Sequence, residues 1–199
     1  MNEEKPGMKT LIAEASLALF EQRGFTETSV QDICNELGVT KGTFYYYFDS
    51  KETLLMDIHE QYIVTLLEEQ KGILEDDNLT YREKVRAVIY MLIRDIEKRG
   101  ARGRVFFREM RHLNDGRKAK IVPLRNQFRL NIEQLVRAGV EAGAFRSEIN
   151  PKLAAFALLG IANWSYQWFH PDGELSDREV ADAFATILLE GIEPDPRDR

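Results

Sequence analysis

Between residues 28 and 48 two short segments of helical periodicity are joined by one glycine, and this spacing restricts what the chain can fold into. Val30, Ile33, Cys34 and Leu37 place apolar residues on one face of a short helix. Thr28 and Gln31 have capping-box spacing at its start. Gly38 ends it, because glycine accepts the left-handed conformation of a helix cap. Two residues later Thr40 is placed to cap a second helix, with Val39 and Phe44 at hydrophobic-staple positions, ending near Tyr47 or Phe48. Helices joined so tightly must cross, which leaves a face of the second one free. Phe44 points inward as its anchor, and Thr40, Lys41, Thr43, Tyr45 and Tyr46 lie on or near the free face.

The residue types on that face suit a DNA groove. Hydroxyls bond phosphates or base edges, and a tyrosine ring offers a flat apolar body to a thymine methyl. Gly42 removes a side chain where backbone would approach a duplex. Lys51 begins a fourth helix, where the helix N-terminus also favours phosphate. The plainer reading is a surface aromatic cluster, but Tyr45, Tyr46 and Tyr47 would cover all sides of a short helix.

Net charge does not help this reading. The formal charge of the chain is -6. Residues 1–51 hold Lys5, Lys9, Arg23, Lys41 and Lys51 against eight acidic residues. Support for DNA contact therefore comes from local placement and from uncharged phosphate ligands.

The rest of the chain reads as further helices, with no strand-like alternation and no repeat. Ile12, Ala15, Ser16, Leu19 and Phe20 form one face of a first helix, about 8–23, stopped by Gly24. The fourth helix runs to about Leu74. Thr80 with Glu83 opens another, to about Lys98, and a break around Gly100 precedes a helix over 102–113. A loop at Asn114-Asp115-Gly116 follows, and Pro123 suits the first turn of the next helix, which ends near Gly143. Asn150-Pro151 starts an apolar helix reaching Phe169, Ser176 and Glu179 cap the last one, and the tail after Gly191, with Pro194 and Pro196, is expected to fray. The expected fold is all-α: a three-helix helix-turn-helix domain over residues 1–52, then a helical-bundle effector and dimerisation domain over 53–199.

Other function classes are poorly supported. Cys34 is the one cysteine, which rules out an intrachain disulfide framework. No signal peptide or membrane-length apolar stretch is evident, so the cytoplasm is expected. There is no Walker loop, G-x-S-x-G or H-E-x-x-H, and His59, His112 and His170 are scattered, so neither an enzyme nor a metal site is expected.

Two segments of the larger part carry ligand and partner expectations. Residues 99–120 hold eight Lys and Arg against Glu109 and Asp115. Arg104, Arg108 and Arg111 share a helical face there, with Phe106, Met110 and Leu113 on another; this is either a solvated face or a dock for an anionic effector that Phe107 and Met110 would also contact. Trp164 and Trp168, four residues apart, could line an apolar chamber or simply pack in the core. Leu153 to Ile161 is apolar nearly all round and must be covered on several sides. With the stripe Val180, Phe184, Ile187 and Leu188 it forms either a dimer interface, using Phe156 and Leu159, or an intrachain core.

The stretch Thr28 to Ile33, then Gly38-Val39-Thr40-Lys41-Gly42-Thr43-Phe44-Tyr45-Tyr46-Tyr47-Phe48, then Ser50 to Leu55, closely resembles the TetR family of bacterial transcriptional regulators. Ile12, Ala15, Leu19, Phe20 and Gly24 match its first helix. The resemblance implies an all-helical homodimer that pairs through its last two helices and binds a palindromic double-stranded DNA operator. By position, Thr40, Lys41, Gly42, Thr43, Tyr45 and Tyr46 would face the groove, while Tyr47, Lys51 and the Thr28 end of helix two would hold phosphates. Arg108 to Leu113, together with Asn163 to Ser176, looks like the branch that senses acyl-CoA thioesters in fatty-acid or sterol-fragment degradation. That implies a repressor with no cofactor, released by an acyl-CoA effector. A helical protein-protein adaptor, favoured by the acidic N-terminal part, is the rival reading, and a thioester-acting enzyme a more distant one.

Overall fold

The computed structural model describes residues 7–113 and 115–190, which form eight helices among these residues. They are α1 (Met8–Arg23), α2 (Val30–Leu37), α3 (Lys41–Tyr47), α4 (Lys51–Leu74), α5 (Tyr81–Glu109), α6 (Asp115–Glu141), α7 (Pro151–Trp164) and α8 (Asp177–Glu190). Short 3-10 turns, Met110–His112 and Ser165–Gln167, follow α5 and α7. Among the described residues no helix is long and apolar enough to cross a membrane. No group of three His, Cys, Asp or Glu among them could hold a metal ion. Asn114 and the tail from Gly191 onward lie outside the described residues.

Packing divides the chain into two compact units. The first takes residues up to Val64 together with Ala101–Pro123. The second takes Thr65–Gly100 and the chain from Leu124 onward. The first unit closes over Ile12, Phe20, Ile33, Phe44, Leu54 and Phe106, all at most 2% exposed. Burying each such side chain contributes about 1.5–3 kcal/mol. The second closes over Val88, Ile93, Ile132, Leu158 and Val180.

Local chemistry sets most helix ends. Asn150 accepts from the backbone N–H groups of Lys152 and Leu153, and Pro151 occupies the first turn of α7. Thr80 with Glu83 and Ser176 with Glu179 make reciprocal capping bonds at the starts of α5 and α8.

Three boundaries differ from the sequence expectation, and one break falls where expected. The box opening α2 is Ser29 with Asp32, not Thr28 with Gln31, because Ser29 adopts the extended N-cap backbone. The break expected around Gly100 is present as a kink at Arg99, φ -141, ψ 27, with a helical stretch on either side of it. Asp115 and Gly116 belong to α6, so Pro123 sits inside that helix. A proline there loses its own N–H bond and its ring crowds the carbonyl four residues back, at a cost of about 3 kcal/mol. Finally, α7 stops at Trp164 and continues as a 3-10 turn.

Candidate functional site

The helix-turn-helix is built from α2 and α3. Gly38 joins them at φ +66, in the left-handed region, and its N–H caps α2 on Cys34 and Asn35 carbonyls. Ser29 and Asp32 bond each other's backbone and side chain, which holds the Asp32 carboxyl below its ordinary range. Thr40 accepts from the Thr43 N–H at 3.2 Å and opens α3. Phe44, fully buried, fixes α3 to the domain, with Tyr45 and Phe48 rings at 5.4 and 6.0 Å.

The remaining α3 residues face outward. Tyr46 is 82% exposed and Tyr45 51%, while Thr40, Lys41 and Gly42 are exposed and Thr43 half-buried. Tyr47, 37% exposed, stands edge-on to Tyr46. A Cβ on Gly42 would meet Thr40 Oγ1 at 3.5 Å, an ordinary contact. Nothing within the protein therefore requires a glycine there, which fits close approach by an outside molecule.

Two residues expected to hold phosphate are engaged within the domain instead. Thr28 is buried, and its hydroxyl donates to the Gly24 carbonyl at 2.8 Å. Lys51 donates to the Phe25 and Thr28 carbonyls, both at 2.6 Å, with its ammonium 4.2 Å from the centre of the Phe25 ring. Burial pushes the Lys51 pKa down. Lysine here clamps the α1–α2 turn, a contact that sequence spacing does not reveal because it joins residues more than twenty apart.

Arg102, Arg104 and Arg108 also find partners on α1. Arg102 pairs with Glu14 of α1, and Arg104 with Glu21, its Nε 2.7 Å from the carboxylate. Arg108 donates to the Phe20 and Glu21 carbonyls at the C-terminal end of α1, and to the buried Glu109 at 2.6 Å. A cation is favoured at that end of a helix. Arg111 donates to His112 at 3.2 Å. Phe107 packs edge-on to the buried Phe106. Arg104, Phe107, Arg108, Met110 and Arg111 all belong to the first unit, whereas Trp164 and Trp168 belong to the second.

Trp164 and Trp168 are exposed, at 67% and 41%. Trp168 rests against Phe169 and Phe184, both at 6.1 Å. The all-round apolar α7 is covered on one side only: Ala155, Leu158 and Ala162 are buried, while Leu153, Phe156, Ala157, Gly160 and Trp164 are exposed. On α8, Ile187 is 45% exposed, and Phe184, Leu188 and Leu159 of α7 are half-buried. The second unit also holds a 640 Å³ cavity lined by Val85, Val136, Phe145, Leu153, Leu158 and Leu188 among others. That volume is within the range of ligand pockets.

An α2–turn–α3 unit with a capped, outward-facing second helix defines a DNA-binding regulator of the helix-turn-helix class. The family model "Bacterial regulatory proteins, tetR family" matches residues 12–58. "Tetracyclin repressor-like, C-terminal domain" matches residues 78–192. The chain belongs to the TetR family of transcriptional regulators. It is 28% identical over 189 residues to the HTH-type transcriptional repressor KstR2 of Rhodococcus jostii (strain RHA1), covering 94% of this chain and 92% of that one. It superimposes on the TetR family regulator PfmR of Thermus thermophilus with a TM-score of 0.86 at 32% identity, covering 92% and 99% of the two chains. It superimposes on AibR in complex with isovaleryl coenzyme A and operator DNA with a TM-score of 0.83 at 26% identity, covering 91% and 97%.

Proposed function

We propose that this regulator is a cytoplasmic repressor released from its operator by a small anionic effector, and that the effector is an acyl-CoA thioester. The likeness to AibR, whose structure holds isovaleryl coenzyme A and operator DNA, carries this reading. The relation to the repressor KstR2 agrees with it. In this reading Thr40, Lys41, Gly42, Thr43, Tyr45 and Tyr46 meet the major groove and Tyr47 a flanking phosphate.

The active species is a homodimer. The exposed apolar residues of α7 and the Ile187 edge of α8 form its self-complementary interface, since a two-fold interface uses the same patch on both copies. Pairing sets two copies of α3 about 34–36 Å apart, one DNA turn, on a palindromic operator. Effector binding acts through α4, whose 24 residues run from the first unit into the second. The effector must bind the DNA-competent and released states with different affinity, because otherwise no population shifts. Trp164 and Trp168, expected to line an acyl chamber, are exposed and do not line the 640 Å³ cavity. Arg104 and Arg108 hold α1 rather than the ligand.

The test is a mobility-shift titration on a duplex selected from a random pool. Acyl-CoAs of graded chain length should dissociate the complex. A complex left intact by all of them overturns the effector assignment, and a pool yielding no preferred sequence overturns the regulator reading in favour of an adaptor.

A further inference from the structure

With Arg104 and Arg108 directed to α1, the cations available to an anionic ligand must be sought elsewhere. In the second unit a 330 Å³ groove runs between α4 and α5. Ile73, Ala87 and Met91 give it an apolar floor, and Tyr90, Arg94 and Lys98 stand on its α5 side. Arg178 of α8 lies over the Tyr90 ring at 4.5 Å, and Arg94 lies 5.9 Å from the same ring. A tyrosine face holds a guanidinium by its quadrupole while leaving the N–H fork free for another partner.

The charge in this groove is unbalanced. Its acidic lining residue, Glu69, is taken by Arg99, which donates to both carboxylate oxygens at 2.9 and 3.1 Å. Arg99 is itself matched by Glu69 and the buried Asp95. Among the described residues, no carboxylate lies within ion-pair distance of Arg94, Lys98 or Arg178. Arg94 and Lys98 line the groove with Arg178 over Tyr90 beside them, and the Glu69 carboxylate, already bonded to Arg99, meets Arg94 and Lys98 only through longer-range attraction.

We infer that this groove is a phosphate-binding site, in which Arg94, Lys98 and Arg178 take the phosphate groups of a ligand whose apolar part lies toward Ile73 and Met91. Arginine forks bind phosphate oxygens in pairs, and lysine adds a point charge. The ligand's identity as a coenzyme A thioester rests on the function proposed above; the groove's preference for phosphate does not. Arg99 lines the groove as well, so a bound phosphate would compete with Glu69 for its guanidinium.

Calorimetric titration of the full chain tests the site with isovaleryl-CoA, coenzyme A, ADP, pyrophosphate and the phosphate-free S-isovaleryl-pantetheine. The variants are Arg94→Glu/Lys98→Glu and, as a control, Lys152→Glu at the exposed start of α7, with folding checked by circular dichroism. The wild type and the control should bind the phosphate-bearing probes. The double variant should bind them about tenfold or more weakly, with the pantetheine thioester unaffected. If the double variant binds isovaleryl-CoA as tightly as the wild type, the groove assignment fails and the acyl-CoA reading stands. If ADP or pyrophosphate binds in an Arg94- and Lys98-dependent way while isovaleryl-CoA does not bind at all, the groove stands and the acyl-CoA reading fails. Binding of no phosphate-bearing probe by the wild type overturns the site.

Discussion

The Tyr166 hydroxyl donates a 2.7 Å hydrogen bond to the carboxylate of Asp95, which is only 1% exposed. The other oxygen of that carboxylate accepts from Arg99 Nε at 2.5 Å, and Arg99 reaches on to Glu69 of α4. Arg99 is also the residue at which α5 bends. The turn after α7, the bend of α5 and the second half of α4 are thus joined by one network, buried at Asp95 and Tyr166 and half-buried at Arg99 and Glu69. Tyr166→Phe should cost about 1–3 kcal/mol of stability, the penalty for leaving a buried acceptor one bond short. Arg99→Ala removes a countercharge from the buried Asp95 and should cost about 3–5 kcal/mol. Denaturant unfolding measures both, and losses below about 0.5 kcal/mol would be ordinary for a surface change and would deny the network its role.

Acid should loosen the second unit through Glu69 of this network and through the caps of α5 and α8. The hydrogen bond from Arg99 holds the Glu69 carboxyl below its ordinary value of 4.5, and the capping bonds from Thr80 and Ser176 do the same for Glu83 and Glu179. A carboxyl depressed in the folded state contributes stability that is present above its unfolded pKa. That stability is lost as pH falls through the folded value. Thermal unfolding scans should therefore show a decline that begins near pH 4.5 and steepens below it. Glu69→Gln should lower the melting temperature at pH 7 and flatten this acid limb; an unchanged limb would mean the pairing carries no pH-dependent stability.

Arg108 distinguishes structural from ligand roles for the arginine-rich segment. Its guanidinium caps the Phe20 and Glu21 carbonyls of α1. Arg108→Ala should destabilise the protein by about 1–3 kcal/mol, as for a hydrogen bond to a charged group. Ligand affinity, measured below the unfolding transition, should not change. The opposite pattern, full stability with ligand binding lost, would return the segment to effector recognition.

DNA contacts should separate cleanly from folding. Tyr46 is 82% exposed, so Tyr46→Ala should leave unfolding unchanged and weaken operator binding by about 1–3 kcal/mol. Lys41→Ala should weaken binding on all sequences and lower the salt slope by about one. Phe44→Ala, at a fully buried anchor, should instead cost about 3–5 kcal/mol of stability. Because so few basic side chains face outward from α3, the wild-type salt dependence should be shallow.

The dimer face gives a further outcome. Phe156 and Ile187 are half exposed in the isolated chain, and Phe156→Glu with Ile187→Glu would place like charges opposite each other across a two-fold. Sedimentation should show dimers for the wild type and monomers for the double variant. A monomeric wild type at micromolar concentration would remove the interface.

Much of the molecule was legible from local pattern. The helical spacing of Ile12 to Phe20, the Thr40 cap, Gly38 and the boxes at Thr80 and Ser176 depend on residues within a few positions of one another. The sequence by itself therefore determined the presence of the helices, most of their caps and the exposed face of α3, while the α2 box and the ends of α6 and α7 shifted. It could not determine where long cationic side chains go. Lys51 reaches Thr28 and Phe25, Arg104 reaches Glu21 and Arg108 reaches Phe20, across separations of 23 to 88 residues. Only tertiary packing decides such partners, because a buried or half-buried cation goes to the nearest carbonyl or carboxylate the fold supplies. For the same reason the sequence does not show that Arg94, Lys98 and Arg178, none of them in a direct ion pair among the described residues, stand together around Tyr90.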